Sequence, residues 1–256
     1  MKVKSETFEK MNIPFTVSIA TENHSLALEY LQAVVPQIKK ELTRIENDYS
    51  PFIETSLVCR YQDGEGNALL GNDEFKEIFA ATMIAKETTD GAFDPYFSNH
   101  YDPTGYTKGW AIETIFRQIL HPLLVDKEIS GICFNGGGDL QFESQNNFYW
   151  NIGIENPLNL QEIIASYHLE NGSLATSGIS KRAQHITVVG TADLMQVTVY
   201  ASNLTYSDVW ATAGMAVGET LFNKLIIKFK LNGIYVKQDG NLVIFERGRI
   251  QNVDAA

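Results

Sequence analysis

Short strand-like runs joined by tight glycine turns constrain this chain more than any other feature. Gly131–Phe134 is a brief apolar run that leads through Asn135-Gly-Gly-Gly-Asp139 into a second strand-like run. Ile234–Lys237 turns through Asp239-Gly240 into Leu242–Phe245. Asp-Gly between alternating runs is a hairpin signal, because glycine accepts the positive φ of a two-residue turn. Hairpins build antiparallel pairs, whereas parallel strands need long crossovers. Met11–Ala20 ends in an alternating run, Trp150–Ile154 alternates again, and the β-branched stretch Thr187–Tyr200 reads as strand.

Helical periodicity is interspersed among these runs. Leu26, Leu28, Leu31, Val34, Val35, Ile38, Leu42 and Ile45 form an approximate helical stripe, with Asn23 and Ser25 as candidate caps. Pro36 is expected to bend or divide this helix, and Ser50-Pro51 to end it. A second helix is expected over Asn72–Thr89, where Asp73 and Glu74 suit the positive N-terminal end. Gly91–Gly109 is rich in Gly, Pro, Asp and aromatics and is expected to be irregular loop, with helix resuming over Trp110–Leu120. Ser207 is expected to cap an alanine-rich helix running to about Phe222. Hairpins mixed irregularly with helices predict an α+β fold rather than a doubly wound parallel sheet. No linker, low-complexity stretch or internal repeat divides the chain, so residues 1–256 are expected to form one domain, with mixed or antiparallel sheets flanked by helices.

Composition narrows the function. The 256 residues are 44% hydrophobic and 20% charged, an ordinary globular mix. Such a chain buries roughly 70–75% of its unfolded surface and needs no disulfide or structural metal to hold a core. With 31 acidic against 20 basic residues and a net charge of −11, binding to a nucleic-acid backbone is not expected. A phosphorylated small molecule remains open, because a metal ion and backbone N–H groups can hold phosphate without net positive charge. Cys59 and Cys133 form no CxxC and are expected to be two buried free thiols. No apolar run reaches the roughly 20 residues of a membrane helix. Met1–Lys10 leads into no signal-like apolar region, so a cytoplasmic location is expected.

Several chemistries lack their motifs. There is no GxxxxGK[ST] and no HExxH, and Gly136-Gly137-Gly138 lacks GxGxxG spacing. Ser177, in Ala175-Thr-Ser-Gly-Ile179, is not in a GxSxG elbow, and no acid is identifiable to orient a Ser177–His185 pair.

Four blocks carry candidate chemistry: Asp102-Pro-Thr-Gly-Tyr-Thr-Lys-Gly-Trp-Ala-Ile-Glu113, Asn135-Gly-Gly-Gly-Asp139, Ala175-Thr-Ser-Gly178 and Ser207-Asp-Val-Trp-Ala-Thr-Ala213. Asp208 and Thr212 are four apart, on one helical face. A carboxylate and a hydroxyl are hard oxygen donors suited to Mg²⁺; an Asp complementing a helix dipole and a Thr in helix packing explain the same pair. Lys108 could meet pyrophosphate oxygens as a point charge, or lie on the surface. Gly105 and Gly109 suit a close backbone approach or a plain loop-to-helix turn. Gly136, Gly137 and Gly138 could form an anion nest beside Asp139, or only a hairpin turn. Thr176, Ser177 and Gly178 offer two hydroxyls and a flexible backbone.

Together, in this order, the four blocks resemble the ApbE family of FAD:protein FMN transferases, whose pattern reads approximately G-x-x-K-G-x-A, N-x-G-G-D, A-T-S-G and A-D-x-x-A-T-A. The K-G-W-A-I-E wording is similar to that of soluble Gram-positive members. The resemblance implies an ApbE-like, T-fold-like domain. It implies that Asp208 and Thr212 hold Mg²⁺ with the main-chain carbonyl of Thr107. It further implies that Lys108, Gly109, Gly136, Gly137, Gly138, Asp139, Thr176, Ser177, Gly178 and Met11 line the site for the substrate FAD. His185, in the pair His185-Ile186, is implied as a catalytic base or phosphate-side group acting with Lys108. After it the chain reads Thr-Val-Val-Gly190 where the family has D-P-x-T-G, and Met11-Asn-Ile lacks the family's Gly-Thr. The implied reaction moves FMN from FAD onto a Thr or Ser hydroxyl of an acceptor flavoprotein bearing a D-G-x-[ST]-G-A-T-like stretch, with release of AMP. The same site with water as attacker gives a FAD pyrophosphatase, and without turnover a FAD-binding protein. Tyr96, Phe97, Tyr101, Tyr106 and Trp110 are candidates, by location, for stacking on the flavin.

Overall fold

A computed structural model describes residues 1–178 and 192–253. Two strands, β1 (Lys2–Lys10) and β2 (Ile13–Thr21), open the chain. Met11 and Asn12 join them at φ 50° and 57°, the left-handed pair that matches the twist of a two-residue hairpin. β1 is an edge strand whose side chains, apart from buried Phe8, are exposed or half-buried. Its Lys and Glu residues discourage further pairing, and they hid the strand from hydrophobic patterning.

Helix α1 (His24–Tyr49) starts where Asn23 accepts the Leu26 N–H. It runs on through Pro36 rather than dividing there. Proline costs a helix interior about 3 kcal/mol. Leu31, Val34 and Val35 before it and Ile38, Leu42 and Ile45 after it are all buried, each contributing about 1.5–3 kcal/mol, so tertiary packing outweighs the local penalty. Short helices α2 (Leu57–Gln62) and α3 (Gly66–Leu70) lead to α4 (Asp73–Thr88), capped by Asn72 on the Phe75 N–H.

The segment expected to be loop up to Gly109 instead turns helical at Thr104. Helix α5 (Thr104–Ile115) begins where Asp102 Oδ1 accepts the Thr104 N–H, and continues as a π turn over Phe116–Leu120 and a 3₁₀ turn over His121–Val125. Gly105 and Gly109, with Thr104 and Thr107, made this start read as loop; burial against a neighbouring helix overrides that propensity.

Strands β3 (Ile129–Gly136), β4 (Asp139–Ser144), β5 (Trp150–Asn156), β6 (Asn159–Leu169), β7 (Gly172–Gly178) and β8 (Leu194–Ala201) follow. Helix α6 (Leu204–Phe229) starts at Asn203, whose side chain accepts the Tyr206 N–H. Ser207 is therefore not the cap; it lies within the first turns and pairs its hydroxyl with Ser173 at 2.8 Å. Gly218, at φ 74° and ψ 176°, breaks α6 internally. Strands β9 (Asn232–Lys237), β10 (Leu242–Glu246) and β11 (Arg249–Val253) complete the described chain.

Among the described residues the strands form a nine-stranded sheet in the order β1-β2-β3-β4-β7-β8-β9-β10-β11, and a β5-β6 ribbon. Every pairing is antiparallel, so the α+β fold of antiparallel sheets flanked by helices holds. One core joins α1, α5 and α6 to the main sheet, and a second core, built on Phe142, Trp150, Ile152 and Ile154, seats the ribbon. The β1–β2 turn, the β3–β4 turn and the C-terminal end of β7 all lie at one end of the main sheet. No helix among the described residues is long and apolar enough to cross a membrane.

Candidate active site

Three charged side chains converge where α5 and α6 meet that end of the sheet. The Lys108 ammonium pairs with Asp139 and stands 3.4 Å from Asp208 Oδ1. The side chains are only 11% (Lys108), 1% (Asp139) and 3% (Asp208) exposed. Lys108 is thus no surface lysine. Buried charges persist only when paired, because desolvation is costly, and here one ammonium serves two carboxylates.

Each member is held by a different element. Lys108 projects from the second turn of α5, Asp139 opens β4 after the glycine turn, and Asp208 sits in the early part of α6. Asp139 also accepts the Thr176 N–H on Oδ1 at 3.0 Å, which ties β4 to β7. The helices approach closely because α5 carries glycine where it faces α6. A β-carbon on Gly109 would lie 3.1 Å from Asp208 Cβ and Oδ2 and 3.3 Å from the Leu204 carbonyl oxygen. One turn earlier, a β-carbon on Gly105 would meet Phe93 at 3.1 Å and the Thr212 methyl at 3.7 Å.

Hydroxyls on β7 pair with hydroxyls of α6 and β8. Ser177 Oγ lies 3.4 Å from Thr212 Oγ1, and Thr176 Oγ1 lies 2.9 Å from Thr198 Oγ1. Thr107 is buried inside α5, and its N–H donates to the Pro103 carbonyl at 2.8 Å.

The triple-glycine turn uses its own donors. Gly137 N–H donates to the Pro14 carbonyl at 2.9 Å, and Gly138 N–H to Asn135 Oδ1 at 2.9 Å. Gly136 has a packing role, since a β-carbon there would lie 2.6 Å from Ile112 and 2.7 Å from Phe15. Gly178 ends β7 against the Met195 carbonyl. Met11 packs on the main core from the β1–β2 turn, and makes no hydrogen bond to the trio among the described residues. His185 lies outside the described residues.

The aromatic candidates separate. Tyr101 is 2% exposed, packed among Tyr61, Phe75, Phe79 and Tyr96, with burial pushing its phenol well up. Trp110 meets Tyr49 edge-on. Tyr106, on α5, has its phenol pushed up to about 12, by burial first and by the charge of Glu113 second.

Two supports escaped sequence reasoning. Glu113 accepts both the N–H and the hydroxyl of Thr205, at 2.9 and 2.6 Å, so α5 caps the start of α6. Asn203 is the side-chain cap on the same helix, and an Asn just before an apolar helical run was the available signal.

This α+β fold, with an antiparallel sheet carrying a buried acid–lysine–acid cluster between two helices, matches solved proteins over nearly its whole length. The ApbE protein of Thermotoga maritima is 18% identical with a TM-score of 0.75, over 99% of this chain and 97% of that one. The flavinyl transferase ApbE of Pseudomonas stutzeri is 18% identical at 0.72, over 98% and 94%. The flavin transferase ApbE of Vibrio cholerae is 12% identical at 0.68, over 99% and 97%. At these identities the likeness is one of fold. Comparison with curated proteins finds no match. The sequence model of the ApbE family matches residues 98–234, and the chain belongs to that family.

Proposed function

We propose that this protein is a flavin transferase that moves FMN from FAD onto a Thr or Ser hydroxyl of an acceptor flavoprotein and releases AMP. The observation that carries the reading is the buried convergence of Lys108, Asp139 and Asp208, with Thr212 one turn along α6 from Asp208 and its hydroxyl 3.4 Å from Ser177 Oγ. These residues come from all four sequence blocks. A packed structural core has little use for three charges in one place.

The donors fit a hard divalent ion. A carboxylate and a hydroxyl stand one turn apart on α6, and an ammonium already lodges against the same carboxylate, so the place accepts positive charge. Asp208, Thr212 and the Thr107 carbonyl would hold Mg²⁺, which when bound supplies charge neutralisation at the pyrophosphate.

The chain's own groups then have distinct tasks. Lys108 offers a point charge to pyrophosphate oxygens. Thr176 and Ser177 line the site as hydroxyl donors, and Gly109 lets α5 approach Asp208. The acceptor's oxygen forms a bond to the FMN phosphorus while the bond to the AMP oxygen breaks. His185 takes the proton released by the acceptor's hydroxyl. Phosphoryl transfer needs mostly positioning and charge stabilisation, so no covalent enzyme intermediate is required.

The test is incubation with FAD, Mg²⁺ and an acceptor bearing a D-G-x-[ST]-G-A-T-like stretch. An FMN-sized mass gain on the acceptor, with one AMP released per FMN, is the expected result. AMP and FMN released with no gain on the acceptor would instead identify a hydrolase. Flavin bound without turnover would identify a binding protein.

A further inference from the structure

Asp139 follows the glycine turn, where a ligand contact would be natural, yet it is turned away from that task. One of its oxygens takes the Thr176 N–H and the other takes the Lys108 ammonium, and the side chain is 1% exposed. We propose that Asp139 is a positioning residue that keeps Lys108 near Asp208 but partly drawn off it, as a resident counter-charge, so that a divalent cation binds well at Asp208 only together with an anionic ligand.

The argument is electrostatic, and it rests on the reading of Asp208 and Thr212 as metal ligands. A divalent ion entering alone meets an ammonium 3.4 Å from the carboxylate it needs, a like-charge neighbour in a buried setting where screening by water is weak. That repulsion is what an anionic pyrophosphate offsets. Metal and dinucleotide therefore bind synergistically, and the metal alone binds poorly. Asp139 sets this balance in two ways: it contributes a negative charge, and it draws the ammonium partly away from Asp208.

This predicts opposite signs for two single substitutions in one cluster, which a merely structural role would not produce. Lys108→Met removes the competing cation while keeping the length of the aliphatic stem. Asp139→Asn keeps the Oδ1 acceptor for the Thr176 N–H, but removes the charge that holds the ammonium off Asp208.

The experiment is Mn²⁺ binding to the full-length protein, read from the electron paramagnetic resonance signal of the free ion. It is run without flavin and then with FAD, on the wild type and both variants, with circular dichroism as the fold control. Without flavin, Lys108→Met is expected to bind Mn²⁺ roughly tenfold tighter than wild type and Asp139→Asn roughly tenfold weaker, the scale of one unit charge near a divalent ion at a partly shielded site. The enhancement that FAD gives wild type is expected to shrink in Lys108→Met. Parallel weakening in both variants, or no change in either, overturns the proposal. Should Asp139→Asn fail to fold, Lys108→Met decides alone: unchanged or weaker Mn²⁺ binding without flavin overturns it. Wild type that binds no Mn²⁺ even with FAD overturns the metal-ligand reading, and this inference with it. Wild type that binds Mn²⁺ while both variants match it overturns the coupling alone.

Discussion

Gly109 and Asp208 are in such close register that a β-carbon on the glycine would sit 3.1 Å from both Cβ and Oδ2 of the aspartate. The absence of a side chain on α5 thus sets where the carboxylate on α6 can stand. The same approach brings Lys108, the neighbouring residue on α5, to within 3.4 Å of Asp208 Oδ1. Packing and electrostatics of the site are therefore one feature, carried by a Lys-Gly pair in one helix and an Asp in another.

Gly109→Ala tests that link. Alanine favours helix over glycine by up to about 1 kcal/mol, while forcing the helices apart by a few tenths of an ångström has a cost of similar size. Net stability should change little, by less than about 1 kcal/mol in denaturant unfolding. FAD-dependent transfer should fall by on the order of tenfold or more, because displaced catalytic groups are costly. Equal activity in the alanine variant would show that the approach of the two helices does not set the site.

Gly136 supports the site from the sheet side, and its replacement should act differently. A β-carbon there would be 2.6 Å from Ile112 Cδ1 and 2.7 Å from Phe15 Cε1, and Ile112 and Phe15 are fully packed. Gly136→Ala should destabilise by about 1–3 kcal/mol, lowering Tm by roughly 2–4 °C per kcal/mol for a chain of this size. Differential scanning calorimetry on the purified variant reads this directly.

The parts of this molecule that sequence could reveal are those with a local signature. The β3–β4 hairpin announces itself in Asn135-Gly-Gly-Gly-Asp139, and α4 in Asn72-Asp-Glu before an apolar period. The edge strand β1 was invisible because its charged side chains face water and only Phe8 is buried. The start of α5 was misread because Gly105 and Gly109 look like loop residues, whereas in space they make room for Thr212 and Asp208. For the site, the resemblance carried by motif order implied that Lys108, Asp139 and Asp208 share one site, and the three side chains do converge. Spacing held no information that Asp139 faces Lys108, since that pairing is made only when α5 docks on the β3–β4 turn. The cap that Glu113 places on Thr205 spans 92 positions and likewise has no local signal.

The buried thiol gives a pH-dependent prediction. Burial pushes the Cys133 thiol up to about 12 from an ordinary value near 9. The native state thus keeps its proton where the unfolded state loses it. Its contribution to stability is complete below about pH 9 and is lost as pH rises toward about 12. Cys133→Ala should accordingly lose less stability than wild type between pH 8 and pH 10. Cys59, expected to be buried, is only half-buried and should react with a thiol reagent at pH 8 in the native protein, while Cys133 should require denaturant. Two fast-reacting thiols in the folded state would contradict the burial argument.

The two oxygen donors on α6 should separate chemistry from folding. Asp208→Asn removes a charge but leaves Lys108 its pair with Asp139, so the Lys108 ammonium is not stranded and the fold should survive. Transfer of FMN should nevertheless fall by at least about a hundredfold, the usual scale for losing a group that supports developing charge in a dry site. Thr212→Val keeps the shape of the side chain but removes the hydroxyl that faces Ser177 Oγ at 3.4 Å. Its loss should be smaller, on the order of tenfold, since a water can replace a neutral ligand more readily than a charged one. The rates are read as FMN mass gain on the acceptor over time, with Tm as the control. If Thr212→Val proved as damaging as Asp208→Asn while Tm held, the carboxylate would not be the principal ligand, and the balance of charge drawn around Lys108 would have to be redrawn with it.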